Sequence, residues 1–370
     1  MISKLFGIKE KDFKNSFLTS KVQAGREVVT QHRNASQAKF TIDALSKSLY
    51  ERLFQFLVNK INHSFNTEAN PMANTRYIGI LDIAGFEIFK KNSFEQLCIN
   101  YTNEKLQQFF NHHMFELEQS EYLKEGIKWD YIDFGQELKP TIDLIEGNKL
   151  NKKTGVFLIL DEECVVPKGC DKSFLEKLHT QLESKKANKS NSKDKENNEK
   201  NIRYKPNKIR DGFIVKHYAG EVDYNVDGWL DKNKDPLSST IIELLTESSN
   251  IFISDLFSDS ESLTQNVSDS PVKGGRTKKS GMFRTVAQRH KEQLQQLMDQ
   301  LHETHPHFVR CILPNTTKTA GKFDMQLVLE QLKCNGVLEG IRIARSGYPN
   351  RVEFKHFEKW TLMLMFTKLV

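Results

Sequence analysis

The stretch from Tyr77 to Tyr101 constrains this chain more than any other. A β-branched, apolar run (Tyr77 to Leu81) ends on Asp82, and Gly85 follows it closely. That pattern predicts a buried strand whose carboxyl end opens into a tight loop. From Asn92 the period becomes helical. Ser93 can cap a helix with Gln96 as its reciprocal partner, and Phe94, Leu97, Cys98 and Tyr101 then recur at helical spacing. The stripe resumes, shifted in phase, as Leu106, Phe109, Phe110, His113, Met114 and Leu117. The break at Thr102–Lys105 has two readings: two halves of one helix facing different neighbours, or a helix that bends there and carries a movement at Gly85 to its far end.

In nucleotide-hydrolysing α/β proteins an Asp at such a strand end lies near the magnesium shell. A Gly beyond it offers an unhindered N–H to a terminal phosphate. Strands ending in Asp/Gly turns are common, so that pattern alone is unspecific. The longer run is specific. Asp82-Ile83-Ala84-Gly85-Phe86-Glu87, followed by the unbroken segment from Ser93 through Asn103-Glu104-Lys105 to His113, resembles switch II and the relay helix of a myosin motor, closest to the class II branch. The resemblance runs from about Phe6 to Lys359: Trp229–Leu237 resembles the strut, His305–Ile312 a core strand, and Gln331–Arg342 the reactive-thiol helices.

The resemblance implies an α/β fold, a partial, phosphate-loop-NTPase-like motor: a mixed, twisted sheet with long helices and an actin-binding lower lobe. It divides the chain into part of an upper lobe (1–76), the switch strand, relay helix and relay loop (77–130), and a lower lobe (131–257). A basic surface loop (258–283), a core strand with thiol helices (284–350) and a divergent C-terminus (351–370) follow. Asp82, Gly85 and Glu87 take the nucleotide-sensing and catalytic roles, with Asp82 and Gly85 toward ATP and Mg2+. Phe94, Asn103, Trp129, Cys334, Gly336 and Gly340 take the coupling roles. Toward actin filaments the matching positions are Lys21, Glu27, Ile159, Val165, Val166, Pro167, Lys273, Arg276, Lys278 and Lys279. A hydrophobic anchor rimmed by charge is how a binding hot spot works, and basic clusters speed encounter with an acidic partner. Without the resemblance, Ile159 and its neighbours read first as ordinary core packing. The expected location is the cytoplasmic actin cytoskeleton, with no nucleic-acid or membrane partner.

The chain departs from the family pattern at one decisive point. No G-x-x-x-x-G-K-[ST] phosphate loop occurs in it, and Gly274–Lys279 is spaced wrongly for one. No switch I run precedes Ile2, and no converter, light-chain helix or coiled coil follows Phe354. The expectation is therefore an actin-binding segment without hydrolysis of its own. The alternatives are a non-catalytic actin-binding remnant of a truncated gene, or a half complemented by another chain.

Other features fit a reducing cytosol: five cysteines without framework spacing, a mild formal charge of +6, and no apolar run of membrane-spanning length. His112 and His113 are adjacent on a helix and cannot share a metal on one face, and His302-Glu303-Thr304-His305 is one residue short of a zinc motif, so no metal site is expected. Local pattern predicts a helix from Ser36 to Phe65 and a short buried element at Thr154–Leu160. It predicts a mobile polar stretch at 184–208, paired strands at Phe213–Val215 and Glu221–Tyr224, and a helix at Val286–Glu303. A strand at His307–Leu313 and helix over Met325–Ala344 complete the reading, with an apolar tail from Trp360.

Overall fold

The computed structural model describes residues 1–24, 27–66, 78–131, 138–147, 154–182, 203–234, 239–258, 285–338, 341, 345, 348 and 352–367. In chain order the elements are α1 (Ile2–Leu5), α2 (Glu10–Leu18), β1 (Thr19–Ala24), β2 (Glu27–His32), α3 (Ala35–Asn66) and α4 (Phe94–Asn111). A π turn (His112–Glu116) leads to α5 (Leu117–Lys124), α6 (Lys139–Glu146), α7 (Val156–Val165) and α8 (Asp171–Leu182). Then come β3 (Tyr204–Pro206), β4 (Gly212–Lys216), β5 (Glu221–Asn225), α9 (Trp229–Asn233), α10 (Ser239–Thr246) and α11 (Ile251–Ser258). The last are α12 (Val286–His302), α13 (Met325–Cys334) and α14 (Phe354–Thr367).

Two compact units result. The first joins Met1–Leu81 to Asp235–Arg284. Its core gathers Phe17 from α2, Leu45 from α3, Ile241 and Leu245 from α10, and Leu256 and Phe257 from α11. Arg52 lies over the Phe257 ring, 4.6 Å from its centroid, and donates to the Leu256 carbonyl at 2.8 Å. A planar guanidinium can satisfy an aromatic face and a carbonyl at once.

The second unit comprises Asp82–Lys234 and Thr285–Val370. The β4–β5 hairpin shows why alternation works: Phe213, Val215, Val222 and Tyr224 are fully buried, in register Phe213↔Tyr224 and Val215↔Val222. Gly212 is required there, because a Cβ would sit 2.0 Å from the Tyr224 carbonyl oxygen. Helices α7, α9 and α12 are tied by a buried polar knot. Asp161 accepts from Asn233 (3.1 Å) and from the Thr285 hydroxyl (2.6 Å), while Thr285 caps α12 by accepting from the Gln288 N–H.

Several expectations need correction. Ile78 and Ile80 are 97% and 93% exposed and belong to no strand, and Tyr77 lies outside the described residues. A central strand gains burial only from neighbours on both sides, and among the described residues none lies beside this one. Among the described residues the sheets are antiparallel only, β1–β2 and β3–β4–β5, so the mixed twisted sheet is not seen there. Among the described residues His307–Leu313 likewise pairs with no strand. Its end is held instead by the Gln331 side chain, which donates to the Leu313 carbonyl and accepts from its N–H, both at 2.8 Å. The element at Val156–Leu160 is helical, its apolar residues facing neighbours on all sides. The polar stretch predicted to end at Lys208 yields Tyr204–Pro206 to the sheet, since the Tyr204 ring stacks on Phe213. The stretch from Met325 is largely helical among the described residues: α13 ends at Cys334, Gly336 turns the chain at φ 66°, and helix resumes at Val337. The tail from Trp360 continues helix α14.

Candidate functional site

Helix α4 starts as its sequence dictates: the Ser93/Gln96 capping box is formed. It runs unbroken through Thr102–Lys105, in keeping with the reading of two halves that face different neighbours. The phase shift reflects two neighbourhoods. Phe94 and Tyr101 meet Phe157, and Phe94 also meets Trp229, whereas Phe109 and Phe110 meet Phe308. The irregularity lies later, at the π turn.

Loop Asp82–Glu87 hangs from this helix by side-chain amides. Asn100, fully buried, accepts from the Glu87 N–H and donates to the Glu87 carbonyl, each at 2.8 Å, gripping one residue's backbone on both sides. One turn on, Asn103 donates to the Ala84 carbonyl at 2.9 Å. Gln96 reaches the Glu87 carboxylate at 3.2 Å. Phe86 plugs the loop against the rings of His217 and Tyr218, with centroids 5.1 and 5.2 Å away.

Behind Asn100 runs a buried polar chain. Its amide also donates to the Tyr224 hydroxyl at 2.9 Å; that hydroxyl meets His217 Nε2 at 2.9 Å, and His217 Nδ1 meets Glu104 at 3.0 Å. Donor counting gives the chain a direction. Tyr224 accepts from Asn100, so its proton goes to Nε2, and His217 carries its own on Nδ1 toward Glu104. Glu104 also accepts from the Tyr218 N–H, and the Tyr218 hydroxyl donates to the Cys334 carbonyl at 2.8 Å. Burial holds the Tyr218 and Tyr224 phenols protonated far above their ordinary range and pushes the Cys98 thiol up to about 12.

Asp82 and Gly85 are exposed, and nothing lies within 4 Å of a Cβ placed on Gly85. That leaves room for a phosphate beside an open backbone and a carboxylate. With no G-x-x-x-x-G-K-[ST] loop in the sequence to wrap the remaining phosphates, these residues do not by themselves fit ATP and Mg2+, and no catalytic step follows from them.

The coupling residues are spread from the start of α4, through Asn103 at its middle, to segments beyond it. Phe94 is buried against Phe157 and Trp229. Past the π turn, Trp129 donates to Gln119 at 2.7 Å and meets Tyr122 edge-on. Cys334 closes α13 with its thiol raised by burial. At Gly336 a Cβ would sit 2.5 Å from the Gln107 amide, in left-handed backbone. Gly336→Ala should therefore destabilise the protein by about 1–2 kcal/mol, read as a lower urea midpoint; an unchanged midpoint would show that the turn relaxes freely. Gly340 lies outside the described residues.

The actin-facing positions divide. Ile159 is 0% exposed and serves the core, so it cannot touch a partner: α7 turns that face inward, against the expectation. Val165 is 72% exposed, and Val166 and Pro167 are also exposed, at the end of the same helix. Lys21 and Glu27 lie on the β1–β2 hairpin, where Glu27 pairs with Ala24 beside the turn. Lys273, Arg276, Lys278 and Lys279 lie outside the described residues. Sequence reasoning missed Asn100, Glu104, His217 and Tyr224. No local signal in the sequence marked them, because their partners lie more than a hundred residues away along the chain.

The family described as Myosin head (motor domain) matches residues 1–369. Myosin-1 of Saccharomyces cerevisiae is 51% identical over 357 residues, covering 95% of this chain and 17% of its own length. Myosin type-2 heavy chain 1 of Schizosaccharomyces pombe is 52% identical over 355 residues, covering 95% and 21%. The non-muscle myosin heavy chain of Drosophila melanogaster is 48% identical over 360 residues, covering 97% and 16%. The chain thus spans about a fifth or less of these relatives.

Proposed function

Because the chain belongs to the myosin head family, on its class II branch, we propose that it forms the responding part of an ATP-driven motor on actin filaments. In this reading Asp82, Gly85 and Glu87 sense the nucleotide, and the amide grip of Asn100 and Asn103 passes their position to α4. The far end of that helix, through Gln119 and Tyr122, holds Trp129. The observation that carries the proposal is this physical continuity: an exposed loop with room for a phosphate, hung at two peptides from one helix. A phosphate drawing on the Gly85 amide would pull on the Asn100 and Asn103 side chains, because hydrogen-bonded peptides move with their partners.

The proposed location is the cytoplasmic actin cytoskeleton. No helix among the described residues is long and apolar enough to cross a membrane. The proposed actin contact uses Val165, Val166 and Pro167, with Lys21, Glu27, Lys273, Arg276, Lys278 and Lys279 as the charged rim. Cosedimentation with actin filaments tests it. The 370-residue chain should pellet at low salt whether or not MgATP is present, and should show no actin-stimulated hydrolysis. The double variant Val165→Asp, Val166→Asp should weaken pelleting by about tenfold or more, the scale of losing one hot spot. Equal pelleting of parent and variant would remove these residues from the interface. ATP-dependent release by this stretch alone would show that it grips nucleotide unaided.

A further inference from the structure

The π turn at His112–Glu116 interrupts an otherwise α-helical path, and the Leu117 N–H donates to the His112 carbonyl, five residues back. Such turns carry one residue more than an α-helix needs and persist only where side chains support them. The support here is a ring cluster. His113 lies over Phe109 with centroids 4.4 Å apart, and the rings of His302 and Phe308 stand 6.4 and 6.3 Å from it. His113 Nδ1 is buried without a hydrogen bond of normal geometry.

The charges around that ring are one-sided. On its own helix stands His112, already paired with Glu116 at 2.5 Å. Helix α12 contributes His302, whose Nδ1–H donates to the Met298 carbonyl at 2.6 Å, and the next segment contributes His305, itself 5.2 Å from the His307 ring. Burial disfavours a proton on His113, the Phe109 carbonyl favours one, and the three neighbouring histidines add to the disfavour. A proton there would be a charge among phenyl rings and other imidazoles.

We propose that His113 is a proton-operated latch on the long helix: the π turn holds while His113 is neutral and opens when it is charged. A one-residue change of register turns the helix beyond it by about 100° and moves it about 1.5 Å. That segment carries Gln119 and Tyr122, which hold Trp129 and Tyr348. The sign follows from linkage. A base whose proton is disfavoured in the folded protein gives stability that is complete above the ordinary histidine range and is lost as pH falls through and below about 6.5.

Hydrogen–deuterium exchange on the full 370-residue chain tests this, with rates corrected for the intrinsic effect of pH. Between pH 7.5 and 5.5, peptides covering residues 106–124 should lose protection by roughly fivefold, while the β4–β5 hairpin keeps its own. His113→Gln should abolish that dependence. If His113→Gln does not fold, His302→Gln serves: with one neighbouring charge removed, the loss should shrink to half or less. No loss in the parent chain, or an equal loss in the variant that folds, overturns the latch.

Discussion

Replacing Asn100 by leucine should lower the unfolding free energy of the second unit by about 3 kcal/mol. One side chain satisfies the Glu87 N–H, the Glu87 carbonyl and the Tyr224 hydroxyl. Each group left buried without a partner costs about 1–3 kcal/mol. Water reaching the half-exposed Glu87 would relieve part of that, and the leucine side chain would recover some apolar burial. The measurement is urea unfolding followed by the emission of buried Trp229, with the slope unchanged between parent and variant. Asn100→Asp sharpens the test. It keeps the acceptor for the Glu87 N–H but turns a carboxylate toward the Glu87 carbonyl and the Tyr224 oxygen. Its deficit relative to the parent should narrow as pH falls toward about 4, because burial raises the carboxyl's range in the folded protein and protonation restores a donor there. A loss under about 1 kcal/mol for the leucine variant would mean the grip is incidental. The proposed coupling would then lose its physical basis.

Trp229→Ala should cost about 4 kcal/mol, within the range for deleting a large aromatic side chain from a core. Trp229 is fully buried, with Phe94, Phe174, Phe213 and Tyr224 around it at centroid distances of 5.5–6.5 Å. Its neighbours on the chain are pinned: Asp171 accepts from the N–H groups of Gly228 and Leu230 at 2.8 and 2.9 Å. The cavity therefore cannot close by shifting α9 inward. Trp229→Phe should lose less, since most of the ring contact survives and the missing group is the indole N–H that donates to the Asn225 carbonyl at 2.6 Å. Thermal or urea unfolding monitored by circular dichroism reads both variants. Equal losses for alanine and phenylalanine would place the cost in that hydrogen bond, not in packing.

The two predictions differ in how far the sequence foretold them. Trp229 sits in a run long enough to be matched, and its burial follows from an aromatic beside a turn. Asn100 gave no such sign, because an asparagine in a helix reads as a surface residue until its partners are known. The same holds for Glu104 and His217, which meet across more than a hundred residues of chain. Ile159 shows the opposite error: a matched position suggested a contact surface, and packing turned it inward.

What the sequence determined by itself was local and periodic. The capping box at Ser93, the alternation in β4 and β5, the span of α3 and the family of the whole chain all rest on residues close together in order, where spacing alone selects the geometry. Only the tertiary structure decided which strands find partners, where the long helix departs from its regular path, and which polar side chains meet in the interior. Those outcomes depend on groups brought together from distant parts of the chain. A strand without neighbours stays exposed, and a buried amide is stable only when every one of its bonds is made.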